Sequence, residues 1–479
     1  MFSQRKSSGL LGFAALLLLI AAAMVHFFPG YLTNAQYVSG IIVLEILVAV
    51  VWNYRQRFVP TLVVVFLGAG LYTPVQPAFS TIRWVVLAIG ALVGVVLYLH
   101  EQGHWFGAFH LLALSCILSS FASAVVSNFQ GVACLKAASL LLLFVYGMTG
   151  ARFAAFFETA RFLGRLQLGL EILTYVAAIT YFVFHYPLLG NPNSLGAVMG
   201  VAVFPLLLWG VLTTGEARLR HRRQFALFLS LLLLLSSYSR ASIGAAFLAA
   251  AWLCVGLRQY KKFFRGIALT LVSAVVIAAL VPIKSDTPDD NRTPVKRFLY
   301  KGHAAGDLLQ SRRSVWDQTL DSIRVHPYFG TGFGTSETSD DTEPQQHSGL
   351  SVSSNVGVRE HGNSYLAILE WQGVLGVAPF AALLLLLVSY LGRVFRWMRR
   401  HGDASTPAVA LSATIAAGLF HAGFEDWLFA VGYYLCVFFW MMAFIFVDVL
   451  PQREVAGIAS KRVLFSTRWP HHGAIARGR

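Results

Sequence analysis

Three short segments of the sequence carry side chains that could act on a phosphorylated substrate. They are SSYSRASIG with Arg240, RRSVWDQTLDSIRVHP with Arg312 and Arg313, and REHGNSYLAILEWQGVLGV with Arg359, His361, Asn363 and Glu370. Arginine stays charged, and its planar fork binds phosphate oxygens through two bonds. An imidazole titrates near pH 6.5, so it suits the acceptance of a proton. The residue types therefore fit phosphate binding combined with proton transfer.

Each segment also has a structural interpretation. Arg240 could end a membrane span by snorkelling to the surface, and a lone histidine at a membrane edge is usually structural. Asn363 or Ser364 could simply cap a helix. The stretch YFGTGFGT superficially resembles a glycine-rich nucleotide loop, but the strand–loop–helix context of such a loop is missing. The functional interpretation depends on whether these groups share one side of a membrane.

The composition places the chain in a membrane. Of 479 residues, 57% are hydrophobic and only 12% are charged, whereas soluble proteins carry about 25% charged residues. Apolar runs of about 20 residues, enough to cross roughly 30 Å of hydrocarbon, repeat almost end to end. The four cysteines lie inside apolar runs, so neither a disulfide nor a cysteine metal site is expected. We predict an all-α, polytopic transmembrane helical bundle.

The apolar runs predict fourteen spans, of which the third and ninth are short enough that twelve or thirteen true crossings remain open. The predicted spans are residues 9–28, 36–54, 58–73, 81–99, 105–126, 131–149, 167–187, 194–213, 224–238, 241–257, 264–282, 364–390, 406–423 and 427–448. The apolar run after Arg5 and Lys6 is long for a signal peptide, and no small-residue cleavage pattern follows it. We interpret it as the first span.

The distribution of basic residues predicts the orientation. With the N-terminus inside, 25 of the 37 Lys and Arg residues fall in cytoplasmic segments, as the positive-inside rule requires. The net charge of +15 is then mostly a consequence of topology. Nucleic-acid binding is disfavoured because no soluble basic domain is present. Arg240 and the long segment that ends near His361 both face outward in this topology.

Four regions follow from this topology. Residues 1–282 form an N-terminal bundle, 283–363 a large outer loop, 364–450 C-terminal spans, and 451–479 a basic cytoplasmic tail. Within the loop, Leu309, Trp316, Leu320 and Ile323 have helical spacing, and Pro327 helps to end that helix. The segments on either side of this helix are polar and turn-rich, so we expect them to be irregular.

The order SSYSR, RRSVWDQTLDSIRVHPYFGTGFG and HGNSYLAILEWQGVLG resembles the O-antigen ligase and polymerase superfamily. The resemblance covers roughly residues 190–450. It implies a GT-C-type glycosyltransferase of the bacterial inner membrane that uses undecaprenyl-diphosphate-linked glycans at the periplasmic face. By position it implies catalytic roles for Arg240, Arg312 and His361, although the neighbouring Arg313 leaves the loop arginine uncertain by one residue. Arg313, Arg359, Asn363 and Glu370 are the candidate substrate-binding residues.

The sequence also departs from that family. Many relatives have a second histidine where Gly362 stands, so a mechanism that needs two imidazoles is doubtful here. The first outer loop, PGYLTNAQ, lacks the acidic residues with which other GT-C enzymes bind metal, and we predict a metal-independent reaction without a cofactor. Glu370 could orient a catalytic group or pair within the bundle. Glu425 and Asp426 could pair with an arginine or line an acceptor cleft.

Several functions remain compatible with the sequence. A single large outer loop favours a ligase that transfers a finished glycan to lipid A-core over a polymerase that must hold two lipid-linked glycans. Exopolysaccharide ligation and protein O-glycosylation remain less favoured alternatives. A non-enzymatic transporter or flippase of polyprenyl lipids would have charged residues across the midplane and often repeats, whereas here the candidate groups gather at one face. The expected partners are the lipid-linked donor, a glycan acceptor and membrane lipids.

Overall fold

The computed structural model describes residues 54–100, 106–152, 159–280, 310–336 and 360–451. Every regular element in these ranges is helical, which confirms the predicted all-α class. The first two predicted spans, the basic tail, Leu309, Arg359 and most of the outer loop lie outside the described residues. The α-helices are α1 Tyr54–Gly70, α2 Gln76–His100, α3 Ala108–Val126, α4 Gln130–Tyr146, α5 Thr159–Ala178, α6 Pro192–Ala197, α7 Phe204–Thr213, α8 Ala217–Ser236, α9 Arg240–Gly256, α10 Tyr260–Leu280, α11 Gln310–Val325, α12 Ser364–His401, α13 Pro407–Ala422 and α14 Tyr434–Asp448.

Three of these helices continue through π-helical segments. The segments are Gly147–Ala151 after α4, Ile179–Val183 after α5, and Val198–Val203 between α6 and α7. Six helical stretches in the described part are long and apolar enough to cross a membrane: Gln76–Val96, Ala108–Val126, Gln130–Ala151, Arg161–Val183, Pro192–Thr213 and Ser364–His401. Four shorter apolar helices accompany them. The multi-pass helical organisation predicted from the sequence is therefore present.

The bundle has a buried centre and an apolar outer surface. Every residue of α14 from Tyr434 to Phe446 is buried, as expected of a helix that is hydrophobic on all sides. By contrast, Leu92, Leu118 and Leu385 on other helices are 66%, 63% and 69% exposed. Large exposed apolar side chains on long apolar helices are the surface that lipid would cover.

The last predicted span begins seven residues too early. The prediction starts it at 427, whereas α14 starts at Tyr434 and residues 423–433 form an irregular segment. This segment turns through hydrogen bonds from the Ala430 N–H to the Trp427 carbonyl (3.1 Å) and from the Tyr433 N–H to the Ala430 carbonyl (2.8 Å). Trp427 is only 4% exposed. The segment is apolar because it is buried in protein, and composition alone does not distinguish that from contact with lipid.

Helix α12 is broken near its start. Gly373 has φ 63° and ψ −178°, which interrupts the helix between Ser364 and His401. The backbone groups freed by the break pair with the glycine-rich turn after α11: the Thr331 N–H donates to the Glu370 carbonyl (3.0 Å), and the Val374 N–H donates to the Pro327 carbonyl (2.8 Å). Irregular backbone at membrane depth is tolerated where protein satisfies it in this way. The stretch YFGTGFGT therefore forms a turn whose backbone groups pair with the broken part of α12.

The loop helix matches its prediction with one difference. Helix α11 ends at Val325, two residues before Pro327, as the sequence predicts. Its buried side carries Thr319, which is fully buried, whereas Leu320 is 40% exposed. The helix packs against α12, and this contact brings Arg312 to the start of that helix.

Candidate active site

The loop arginine of the site is Arg312. Its Nη2 lies 2.6 Å from Glu425 Oε1, and its Nη1 lies 3.5 Å from Glu360 Oε1. One turn later on the same helix, the Trp316 indole N–H donates to the Gly362 carbonyl at 3.4 Å. Arg313 is exposed. Of the two loop arginines, Arg312 is therefore the one that lies against Gly362, the residue after His361. Its catalytic role stays a prediction.

Gly362 allows this close approach. A Cβ atom at this position would lie 2.6 Å from Arg312 Nη1, closer than such atoms come in proteins. The backbone there has φ +60°, a conformation that costs residues with a side chain about 1–2 kcal/mol. A histidine at this position, as in many relatives of the resembled family, would not fit the present position of Arg312.

His361 is buried between two carboxylates. Its side chain is 1% exposed, with Nε2 3.0 Å from Glu370 Oε2 and Nδ1 3.2 Å from Asp426 Oδ2. Ser336 Oγ lies 3.1 Å from Nε2, and the His361 backbone N–H donates to Asp426 Oδ2 at 2.8 Å. The ring packs edge-on against Trp371, with 5.4 Å between the ring centroids. Both ring nitrogens therefore have acidic partners, an arrangement that favours the protonated ring.

Burial and hydrogen bonding act on the His361 pKa in opposite directions. Burial alone lowers the pKa, but the hydrogen bonds and charges of Asp426 and Glu370 outweigh it, so the pKa lies above the usual 6.5. Asp426 shows the reciprocal effect. Burial raises its pKa, but the hydrogen bonds and positive charge of His361 outweigh that and hold the pKa below its usual value. The contact between the two side chains therefore favours a protonated His361 ring beside an ionised Asp426 carboxylate.

Glu370 comes to His361 from within α12. Its Oε2 faces the ring, while its Oε1 accepts a hydrogen bond from the Ser322 hydroxyl of α11 at 3.1 Å. The residue is 1% exposed and lies three positions before the break at Gly373. Of the two roles left open by the sequence, orientation of a site residue fits this geometry.

Glu425 and Asp426 belong to the irregular segment before α14. Ser364 holds this segment, because its hydroxyl donates to the Glu425 carbonyl at 2.6 Å and accepts from the Leu428 N–H at 3.1 Å. Burial raises the pKa of the Glu425 carboxyl, although Arg312 opposes the shift. Of the two alternatives left open by the sequence, Glu425 pairs with an arginine, namely Arg312, whereas the contact of Asp426 with His361 was not predicted. The only signal was an acidic pair in the apolar stretch FHAGFEDWLF.

Asn363 caps α12. Its side-chain oxygen accepts from the backbone N–H groups of Tyr365 (2.8 Å) and Leu366 (3.3 Å). The predicted cap is confirmed, and Asn363 rather than Ser364 provides it. The cap fixes the backbone two residues after His361.

Arg240 lies at the start of α9 and is half-buried. Two residues later, Ser242 Oγ lies 3.0 Å from His421 Nε2, and the Trp427 indole N–H donates to His421 Nδ1 at 2.8 Å. Because the indole only donates, Nδ1 must accept, and Nε2 carries the proton toward Ser242. This chain of contacts ties the start of α9 to the segment that holds Glu425 and Asp426.

The arrangement combines one half-buried guanidinium with a buried histidine–carboxylate unit at the same end of a helical bundle. The guanidinium could bind an anionic leaving group, and the unit could accept or hold a proton. In the described residues, no group of three or more His, Cys, Asp and Glu side chains is arranged to hold a metal ion. The fold and site define a multi-pass membrane protein in which Arg312, His361, Glu370, Glu425 and Asp426 lie together at one end of the bundle.

Residues 225–381, about a third of the chain, match the model of a family described as O-antigen ligase. This match supports the O-antigen ligase superfamily and a membrane enzyme of the O-antigen ligase or polymerase type. The matched segment contains every site residue predicted from the sequence and ends before Glu425 and Asp426. No curated protein matches the chain.

Proposed function

We propose that the protein transfers a glycan from undecaprenyl diphosphate to a sugar hydroxyl of lipid A-core at the periplasmic face of the inner membrane. The observation that carries the proposal is the convergence of Arg312 with the Glu370–His361–Asp426 unit at one end of the bundle. A ligase of this kind must stabilise a departing diphosphate and remove a hydroxyl proton in the same place. The family match supports the type of enzyme.

Arg312 is assigned to the donor diphosphate. As the bond between the anomeric carbon and the diphosphate oxygen breaks, that oxygen takes the bonding electron pair and gains negative charge. A guanidinium held in a partly buried site stabilises this charge more than one in water would. In the structure the Arg312 guanidinium is paired with the Glu425 carboxylate. The donor diphosphate must therefore displace this carboxylate or bind the guanidinium beside it. Arg240 is assigned as a second phosphate ligand, approaching from the start of α9.

His361 in its neutral form, together with Asp426, is assigned as the proton acceptor. The acceptor oxygen bonds to the anomeric carbon, and its proton passes to this pair. The His361 ring is 1% exposed, whereas the Asp426 side chain is 24% exposed. Asp426 is therefore the member that an incoming hydroxyl would meet first, and His361 would receive or share the proton behind it. General-base assistance of this kind contributes about 10²–10⁴-fold.

The remaining candidate residues receive distinct roles. Glu370 is buried and bonded to both His361 and Ser322, so we assign it to orienting the ring. Asn363 uses its side-chain oxygen for the helix cap. We therefore assign it to fixing the direction of the backbone at His361. Arg313 is exposed and available to the glycan. A substrate role for Arg359 remains a prediction from the sequence.

The test is a transfer assay with the purified protein in lipid nanodiscs. It contains an undecaprenyl-diphosphate-linked glycan and lipid A-core, with and without a chelator. The expected result is glycan on lipid A-core, release of undecaprenyl diphosphate, and an unchanged rate with chelator. A donor glycan that lengthens without lipid A-core would indicate a polymerase. Movement of intact donor between leaflets without transfer would overturn the enzymatic assignment.

A further inference from the structure

Lys136 is a cation inside an apolar helix. It lies six residues after the start of α4, in the stretch CLKAASLLLL, and is half-buried. At 1.5 Å per residue, this places it about 9 Å below the end of the helix. A charged residue at such a depth is costly and is by default a candidate for a functional site.

The contacts of Lys136 in the described part leave its charge uncompensated. The ammonium donates to the Gly334 carbonyl, and its alkyl chain packs where a Cβ of Gly334 would stand. No described carboxylate lies within ion-pair distance of it. The nearby acids have other partners, because Glu425 pairs with Arg312, and Glu370 and Asp426 pair with His361. The carbonyl accepts a hydrogen bond from one of the three N–H groups of the ammonium, but because it is neutral it does not compensate the positive charge.

The glycine-rich turn links Lys136 to the candidate active site. Gly334 is two residues before Ser336, a separation of at most about 7 Å along the chain. Ser336 Oγ lies 3.1 Å from His361 Nε2. Ser127, from the loop that precedes α4, anchors the same turn, and its hydroxyl donates to the Thr331 carbonyl at 2.8 Å. Lys136 therefore lies on the Nε2 side of His361, whereas Arg312 lies beside Gly362 and Glu425.

We propose that Lys136 is a further phosphate-binding residue of the lipid-linked donor. The inference rests on the proposed function, since it assigns Lys136 to the diphosphate of the same substrate. The polyprenyl chain of that donor must stay in the hydrocarbon, which keeps its diphosphate near the headgroup level. A flexible lysine rooted just below the helix end can reach this level. With Arg312 on the other side of His361, the diphosphate would be neutralised from two directions.

The competing explanation is that Lys136 only supports the glycine-rich turn through the Gly334 carbonyl. Three variants separate the two in full-length protein in nanodiscs. Lys136→Met removes the charge and keeps the length, Lys136→Arg keeps the charge, and Lys262→Met removes an exposed lysine at the start of α10. The measurements are the KM for donor, the KM for acceptor, kcat, the unfolding temperature, and direct binding of undecaprenyl diphosphate.

For Lys136→Met we expect the donor KM and the Kd for undecaprenyl diphosphate to rise about 10- to 100-fold, the range of one charged hydrogen bond. The acceptor KM and the unfolding temperature of Lys136→Met should stay close to wild type. Lys136→Arg should retain most of the donor affinity. Lys262→Met should change none of the measured quantities. An unchanged donor KM or Kd, with a lower unfolding temperature or kcat, would overturn the proposal in favour of turn support. The binding assay needs no transfer, so a wild-type protein that binds the lipid but transfers no glycan would contradict only the proposed function.

Discussion

The Arg312 guanidinium lies 2.6 Å from the Glu425 carboxylate, and the next residue, Asp426, bonds His361. Because the Arg312 and Glu425 side chains are only 21% and 19% exposed, this ion pair lies largely out of water. It connects the proposed phosphate ligand to the proposed proton acceptor through one step of the chain. Binding of the donor at Arg312 would therefore change the surroundings of His361.

Arg312→Lys tests bidentate phosphate binding. Lysine keeps the charge but loses the planar fork, so we expect glycan transfer to fall about 10- to 100-fold, the equivalent of one charged hydrogen bond. Arg313→Lys is the companion variant on the same helix, and it should lower transfer less than Arg312→Lys does, because Arg313 is exposed whereas Arg312 contacts Glu425 and Glu360. Full activity of both variants in the transfer assay would make the loop arginines structural.

Glu370→Gln tests the origin of the raised His361 pKa. A base that must be deprotonated gives an activity that rises with pH through its pKa, so the acidic limb of kcat/KM should lie above pH 6.5 in the wild type. Removal of the Glu370 charge lowers that pKa, and the limb should move to lower pH. Asp321→Asn, an exposed carboxylate on α11 that pairs with Arg324 at 2.8 Å, should leave the limb in place. If the acidic limb of kcat/KM stays at the same pH in Glu370→Gln, then the Glu370 charge does not raise the His361 pKa.

The sequence predicted most helices because a twenty-residue apolar run has few alternatives in a membrane. The predicted span 81–99 became Gln76–His100, and 241–257 became Arg240–Gly256. It did not predict the break at Gly373, because the left-handed backbone there depends on the turn that packs against it. A Cβ at Gly373 would lie 2.4 Å from the Tyr328 backbone, a contact between residues 45 positions apart.

The sequence predicted Arg312, His361 and Glu370 as candidate site residues, but it did not predict which carboxylate each cation contacts. Arg312 and His361 follow from residue type, side and family resemblance. Their carboxylate partners do not, since Asp426 is 65 residues from His361 and nothing in a single sequence pairs them. Glu370 illustrates the same limit. Its position on α12 was predictable, but its contacts with His361 and Ser322 depend on how α11 packs against α12.

Gly362→Ala tests whether the close approach of Arg312 matters. The added methyl would meet Arg312 Nη1 at 2.6 Å, and the φ of +60° is unfavourable for alanine. We expect a donor KM raised several-fold and a loss of about 1–2 kcal/mol in the free energy of unfolding. Gly392→Ala within α12 meets nothing within 4 Å and should be neutral or slightly stabilising. Wild-type donor affinity in Gly362→Ala would show that Arg312 tolerates displacement.

The predicted orientation has its own test. In intact cells, a membrane-impermeant thiol reagent should label an introduced cysteine at position 345 or 240 but not one at 220 or 397. Position 220 is exposed at the start of α8, so lack of labelling there would reflect its side of the membrane. The four native cysteines lie in apolar segments and provide the background control. Labelling at position 220 would show that the bundle has the opposite orientation, with the candidate site on the cytoplasmic side.

His361→Gln separates proton acceptance from hydrogen bonding. Glutamine can still contact Asp426 and Glu370, but it cannot take the proton of an acceptor hydroxyl. We expect transfer to fall about 10²–10⁴-fold, the typical contribution of a general base, in both His361→Gln and His361→Ala. Donor binding should change much less, because Arg312 and its contact with Gly362 remain, and both proteins should be made in normal amounts. Near-normal turnover by the glutamine variant would mean that His361 only positions the substrate, and the proton would then have to pass to Asp426 alone.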